Sequence, residues 1–172
     1  MTTEVLALFF ALSLLGNTVV LAVSLLRPAG RVAITEIALP LMAAVAVGAT
    51  AGSLYFSEIA GFVPCELCWF QRIAMYPLAV IAPLAAARRD IPVVRYIRII
   101  AVIGLAVALY HSQLQAFPDQ GSFCELANPC TSSPITTMRW ITIPHMSALS
   151  FGAIATLATL QQAAIPTTGV PK

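Results

Sequence analysis

The chain has 172 residues, of which 59% are hydrophobic and 9% charged, with a formal net charge of +2 and a mean hydropathy of +0.90. A soluble globular domain carries roughly 25% charged residues, and nine basic plus seven acidic side chains cannot clothe a water-facing surface of this size. This excludes an ordinary cytosolic enzyme, a nucleic-acid binder and a disordered chain, and leaves an integral membrane protein with little mass outside the bilayer.

Crossing a hydrocarbon core takes about 20 residues of helix. Five apolar stretches cross or nearly cross it: residues 5–26, 37–57, 68–87, 97–115 and 141–164. Each is read as helix, because the alternating pattern of barrel strands is absent from the sequence. The first stretch has no basic residues before it. Glu4 is its only early charge and arginines follow it, so it reads as a retained helix and not a cleaved leader. The whole chain, 1–172, reads as a single membrane domain: an extra N-terminal helix over 5–26, a bundle over 37–164 and an outer loop over 116–139.

Orientation follows from the basic residues. Arg27 and Arg31 lie between stretches one and two. Arg88, Arg89, Arg95 and Arg98 lie around the turn between three and four, and Lys172 is in the tail. If all five stretches cross, these seven of the nine basic residues share one side, which is therefore cytoplasmic. Glu4, Glu58, Glu66, Asp119 and Glu125 fall on the other side, with Arg72 and Arg139. The expected topology has the N-terminus outside and the C-terminus in the cytoplasm of a cell-membrane protein.

That topology puts all four cysteines at the outer face. Cys65 and Cys68 form a C-x-x-C where the third stretch begins, preceded by Pro64. Cys124 and Cys130 form a C-x5-C in the loop between stretches four and five. Two pairs facing an oxidising compartment point to disulfide chemistry. Trp69 follows the C-x-x-C, so it is not a haem-attachment motif. A four-cysteine zinc site is an alternative, but such sites favour two close pairs on a soluble knuckle. Purely structural disulfides are another. A C-x-x-C closes so small a loop, however, that it stabilises little and exchanges readily.

The neighbours of the C-x-x-C favour reactivity. Pro64 suits a helix starting there, and a cysteine at a helix N-terminus has a depressed thiol pKa. Cys65, Cys68 and Arg72 recur at i, i+3 and i+7, on one helical face. Arg72 then lies one turn inside the membrane, below Cys68. It either snorkels to the headgroups or stabilises a Cys68 thiolate and donates to a polar ligand in the bilayer, with Gln71 beside it. Thiol oxidation releases two electrons, yet the sequence has no dinucleotide loop and no iron–sulfur cysteine spacing. A quinone dissolved in the membrane needs neither. Arg72 is placed to donate to its carbonyl, and His111 at the end of stretch four is a second donor or a solvated interfacial histidine. Residues 135–140 are either an interfacial anchor or the approach to the last helix.

The run Cys65–Glu66–Leu67–Cys68–Trp69–Phe70–Gln71–Arg72, the Ala108–Leu109–Tyr110–His111 end of stretch four, the Cys124…Pro129–Cys130 loop and the Ile141–Thr142–Ile143–Pro144 entry to the last helix resemble the DsbB family of membrane thiol:quinone oxidoreductases, in particular its short-loop BdbC-type members. The resemblance spans about residues 37–164. It implies a four-helix transmembrane bundle, with the N-terminal helix as an addition, and both cysteine pairs at the outer mouth. It implies reoxidation of an extracytoplasmic thioredoxin-like dithiol protein (DsbA- or BdbD-like) and delivery of the electrons to ubiquinone or menaquinone. On this chain Cys124 would be attacked by the partner's thiol, Cys130 would resolve or relay to Cys65, and Cys68 would be the quinone-proximal thiolate. Arg72, with His111 and Gln71, would hold the quinone. Two competing classes make different demands. A vitamin K epoxide reductase-like enzyme places its loop pair before the C-x-x-C, whereas here it follows. A non-enzymatic scaffold would need Cys68 and Arg72 only for folding. The resting disulfide pairing stays open between the two local pairs and a cross-loop bond.

Overall fold

A computed structural model describes Gly16 and residues 28–120, 124, 129–131 and 142–164. The expected N-terminal helix, apart from a helical Gly16, and the residue 135–140 segment lie outside the described residues. Four long helices carry the fold: α1 Pro28–Leu54, α2 Glu66–Arg88, α3 Val94–Ala116 and α4 Ile143–Ala163. Four spans, Ile34–Ile59, Glu66–Arg88, Val94–Ala116 and Ile143–Ala163, are long and apolar enough to cross a membrane. The shortest has 21 residues, about 30 Å of helix, which matches a hydrocarbon core. No strand occurs among the described residues.

The four expected stretches at 37–57, 68–87, 97–115 and 141–164 each correspond to one of these helices. The start of the first of them is corrected: α1 begins at Pro28, so Arg31 is on the helix and not in a connecting loop. Proline is well suited to a first helical turn, and the charges that suggested a loop do not break a helix. Beyond Leu54 the backbone widens into a π turn, Tyr55–Ile59. Its end is marked by the Ala60 N–H donating to the Tyr55 carbonyl at 2.9 Å. Gly61, at φ 72°, takes a left-handed conformation that costs glycine little, and the chain turns back toward Cys65.

The helices form a ring in which α1 packs on α2 and α4, and α3 packs on α2 and α4. Short turns at residues 55–65 and 89–93 make consecutive helices antiparallel. The interior is built from small residues with a few large ones between them. Ala38, Met42 and Ala46 come from α1, Leu78 and Ala82 from α2, Ile97, Ala101 and Ala108 from α3, and Phe151, Ile154 and Ala158 from α4. Alanines let helix backbones approach closely where lipid gives no hydrophobic drive to associate. Gly104 goes furthest in this direction. The Phe151 ring occupies the space a Cβ there would need. Large apolar side chains such as Ile73, Val80, Leu84, Ile99, Val102, Ile103 and Leu109 point outward. So extensive an exposed apolar surface suits lipid and not water.

Arg88, Arg89 and Arg95 are exposed around the α2–α3 turn, at the far end of α2 from Cys65 and Cys68. A second, smaller cluster closes the near end. Cys65, Leu67, Leu114 and Cys130 are buried together there, with Cys68, Val107 and Cys124 packed against them.

Candidate active site

The end of α3 and the start of α2 bring the two cysteine pairs into one cluster. Cys65 is the N-cap of α2, in an extended conformation, and Glu66 occupies the first turn. Cys68 follows one turn on. The two sulfurs are 3.0 Å apart and both cysteines are free thiols. Cys124 and Cys130 form a disulfide, with Cα atoms 5.9 Å apart. The pairing is thus local and the C-x-x-C is reduced. Cys130 is fully buried and Cys124 only partly so.

His111 joins the two pairs. It is 1% exposed. The Gln71 amide Nε2–H donates to its Nδ1 at 3.0 Å, so Nδ1 accepts and the neutral ring carries its proton on Nε2. That Nε2–H donates to the Cys130 carbonyl at 3.1 Å. The Cys65 sulfur lies 3.7 Å from the same nitrogen. The Cys65 sulfur, a His111 ring nitrogen and the Cys130 sulfur all fall within 4.8 Å of one another. Sequence reading associated His111 and Gln71 with a quinone; the structure sets His111 against Cys65 and Cys130, and Gln71 against His111.

These contacts bear on reactivity. The Cys65 thiol is lowered from its ordinary value of 9.0 to about 4. The main cause is the hydrogen bond from the Cys68 thiol; burial works against it, and the His111 hydrogen bond adds to the lowering. Sequence reading put the thiolate of the pair on Cys68 beside Arg72. In this state it is Cys65 that has the ionised form stabilised.

Arg72 is 9% exposed and is tied to α1. Its Nε–H donates to the Ser53 hydroxyl and an Nη2–H to the Ser53 carbonyl, both at 3.0 Å. Its guanidinium carbon lies 5.1 Å from the centre of the Trp69 ring. Ser53 lies near the end of α1, just before the π turn. Arg72 and Trp69 also line a cleft of about 210 Å³ with Ser57, Glu58, Gly61, Phe62, Val63 and Pro64. Arg72 with the Trp69 and Phe62 rings could hold a flat ring bearing carbonyl oxygens, with Ser57 and Glu58 as polar members of the same lining. Sequence reasoning missed Ser53, Trp69 and Glu58. Trp69, three residues before Arg72, had a helical-spacing signal; Ser53, 19 residues away in sequence, had none.

Comparisons with known proteins identify the family. The family model described as "Disulfide bond formation protein DsbB" matches residues 35–161. The chain is 44% identical over 110 residues to "Probable disulfide formation protein C" of Bacillus cereus, covering 62% of this chain and 78% of that one. It is 41% identical over 109 residues to "Disulfide bond formation protein C" of Bacillus subtilis, covering 62% and 79%. It is 36% identical over 106 residues to the "SPbeta prophage-derived disulfide bond formation protein B" of Bacillus subtilis, covering 61% and 72%. No solved structure matches. With four membrane-capable helices and a family match over most of its length, this chain is a multi-pass membrane protein of the DsbB family, a disulfide-forming oxidoreductase.

Proposed function

We propose that the protein is a membrane thiol:quinone oxidoreductase. It takes electrons from an extracytoplasmic thioredoxin-like dithiol protein, of DsbA or BdbD type, and passes them to ubiquinone or menaquinone. The observation that carries this reading is the closeness of the two pairs, with the Cys65 and Cys130 sulfurs within 4.8 Å. Two cysteine pairs serving only as staples need no such contact.

The partner's thiolate attacks Cys124, which is more exposed than the buried Cys130. A mixed disulfide forms and Cys130 leaves as a thiolate. The partner's second thiol then releases its disulfide and leaves Cys124 and Cys130 reduced. The Cys130 thiolate attacks Cys65 of a Cys65–Cys68 disulfide, forming Cys130–Cys65 and freeing Cys68. Cys124 then attacks Cys130, restoring Cys124–Cys130 and freeing Cys65. Two electrons have moved inward, and the result is the arrangement seen here: loop pair oxidised, inner pair reduced. A bound quinone supplies the sink for these two electrons and two protons. Arg72, held by Ser53, would donate to its carbonyl, Trp69 and Phe62 would form its walls, and Cys68, one helical turn before Arg72, would pass on the electrons.

The charge distribution supports an outer location for the cysteines. The arginines around the α2–α3 turn lie a full helix of 23 residues from Cys65, about 34 Å, and basic residues favour the cytoplasmic side. The test is quinone reduction by the purified protein in detergent, fed with a reduced thioredoxin-like protein. Cys68→Ser is expected to abolish turnover, and Arg72→Ala to raise the apparent quinone KM. Folded wild type inert toward both quinones would refute the reading.

A further inference from the structure

The contacts of His111 do not belong to the Arg72 cleft, since neither His111 nor Gln71 lines it. They belong to the junction between the two cysteine pairs. We propose that His111, with its tautomer fixed by Gln71, is the positioning residue for disulfide exchange between the pairs. Its Nε2–H holds the Cys130 backbone in place and receives the Cys65 thiolate as it is expelled. This rests on the thiol relay proposed above, and gives these two residues a role in it other than quinone binding.

Three observations converge. Gln71, itself buried, can only donate through Nε2, so its 3.0 Å contact leaves His111 one proton, on the side facing the cysteines. That proton has two acceptors, the Cys130 carbonyl at 3.1 Å and the Cys65 sulfur at 3.7 Å. The arrangement seen here, loop pair oxidised and inner pair reduced, is the end of the exchange, and in it the Nε2–H is within reach of the sulfur that has been expelled. When Cys124 attacks Cys130, the S124–S130 bond forms and the S130–S65 bond breaks. The electron pair of the broken bond stays on Cys65, where a hydrogen bond to a charged sulfur is stronger than one to a neutral sulfur. Because His111 is almost fully enclosed, water cannot substitute for it.

Exchange between the pairs can be followed with no quinone present, which separates this proposal from the quinone reading. Full-length protein with both pairs oxidised is mixed in detergent with one equivalent of a reduced thioredoxin-family protein. It is then acid-quenched at intervals and the cysteines are mapped by differential alkylation. In wild type, electrons are expected to enter at Cys124/Cys130 and appear at Cys65/Cys68. In His111→Leu and in Gln71→Leu, the loop pair is expected to be reduced at the wild-type rate. Onward transfer slows by about 10- to 100-fold in the first, the loss of one hydrogen bond to a charged group, and by less in the second. His111→Gln, which keeps an N–H donor, recovers part of the rate. Gln71→Leu carries the test if His111→Leu fails to fold. Unchanged transfer in the folded variants would overturn the proposal. Wild type that reduces its loop pair but never its inner pair would instead sink the relay itself.

Discussion

The sulfur of Cys65 and the Nε2 of His111 lie 3.7 Å apart across a sequence separation of 46 residues. The first comes from the start of α2 and the second from the last turns of α3. Their contact ties the C-x-x-C to the helix end from which the loop pair departs, and the consequences can be measured.

Cys65 should titrate far below a free thiol. Its pKa is lowered from 9.0 to about 4, so native protein binds fewer protons at Cys65 than unfolded protein between those two values. The stabilisation is full above the unfolded pKa, declines as pH falls, and is gone below the native pKa. With Cys124–Cys130 intact and the inner pair reduced, thiolate ultraviolet absorbance is expected to persist on acidification to about pH 5. Titration near the free-thiol value would show that the Cys68 and His111 contacts do not act on Cys65.

The double variant Cys68→Ser/Cys124→Ser leaves Cys65 and Cys130 as the remaining cysteines. Mild oxidation is expected to join them within the monomer, since their sulfurs start within 4.8 Å and a disulfide requires only a modest further approach. Peptide mapping under non-reducing conditions reads the link. Intermolecular dimers alone would mean that the pairs do not meet in the membrane protein.

Arg72→Lys is not expected to replace arginine. The two hydrogen bonds to Ser53 use the fork of a guanidinium, and an ammonium cannot reproduce them while facing the cleft. The apparent quinone KM is expected to rise about 10-fold or more in Arg72→Ala and to recover only partly in Arg72→Lys. Full recovery would assign Arg72 a simple charge role.

Gly104→Ala is expected to destabilise the bundle by about 1–3 kcal/mol, the usual cost of overpacking, because the added methyl overlaps the Phe151 ring. Thermal unfolding in detergent checks it. Combining the change with Phe151→Leu should return part of the loss, a coupling that directly contacting residues show and distant ones do not.

Much of this was legible in the sequence because a bilayer leaves few choices. Spans of about 20 apolar residues have to be helices, and the four described ones appear where the composition put them. Charge was a weaker guide to helix ends: Arg27 and Arg31 read as a connecting loop, but α1 starts at Pro28. The π turn at Tyr55–Ile59 had no local signal, because its residue types are as compatible with α winding as with π. The cysteines and Arg72 were found by spacing, which is a property of one helix. What spacing could not give was the second helix: Ser53 for Arg72, and Cys65 and Cys130 for His111. Those partners are tertiary, and a histidine near a helix end looks the same in sequence whether it faces a quinone or a sulfur.

The most direct measurement of the central claim is stoichiometry. Purified protein in lipid nanodiscs is given quinone and a limiting amount of reduced thioredoxin-like protein, and quinol and partner disulfide are counted together. The expected result is one quinol for each disulfide, as a two-electron relay requires, lost in Cys130→Ser, which has no loop disulfide for the partner's thiolate to attack. Partner oxidation without matching quinol, or undiminished quinol formation in Cys130→Ser, would contradict the relay through Cys130 and Cys65.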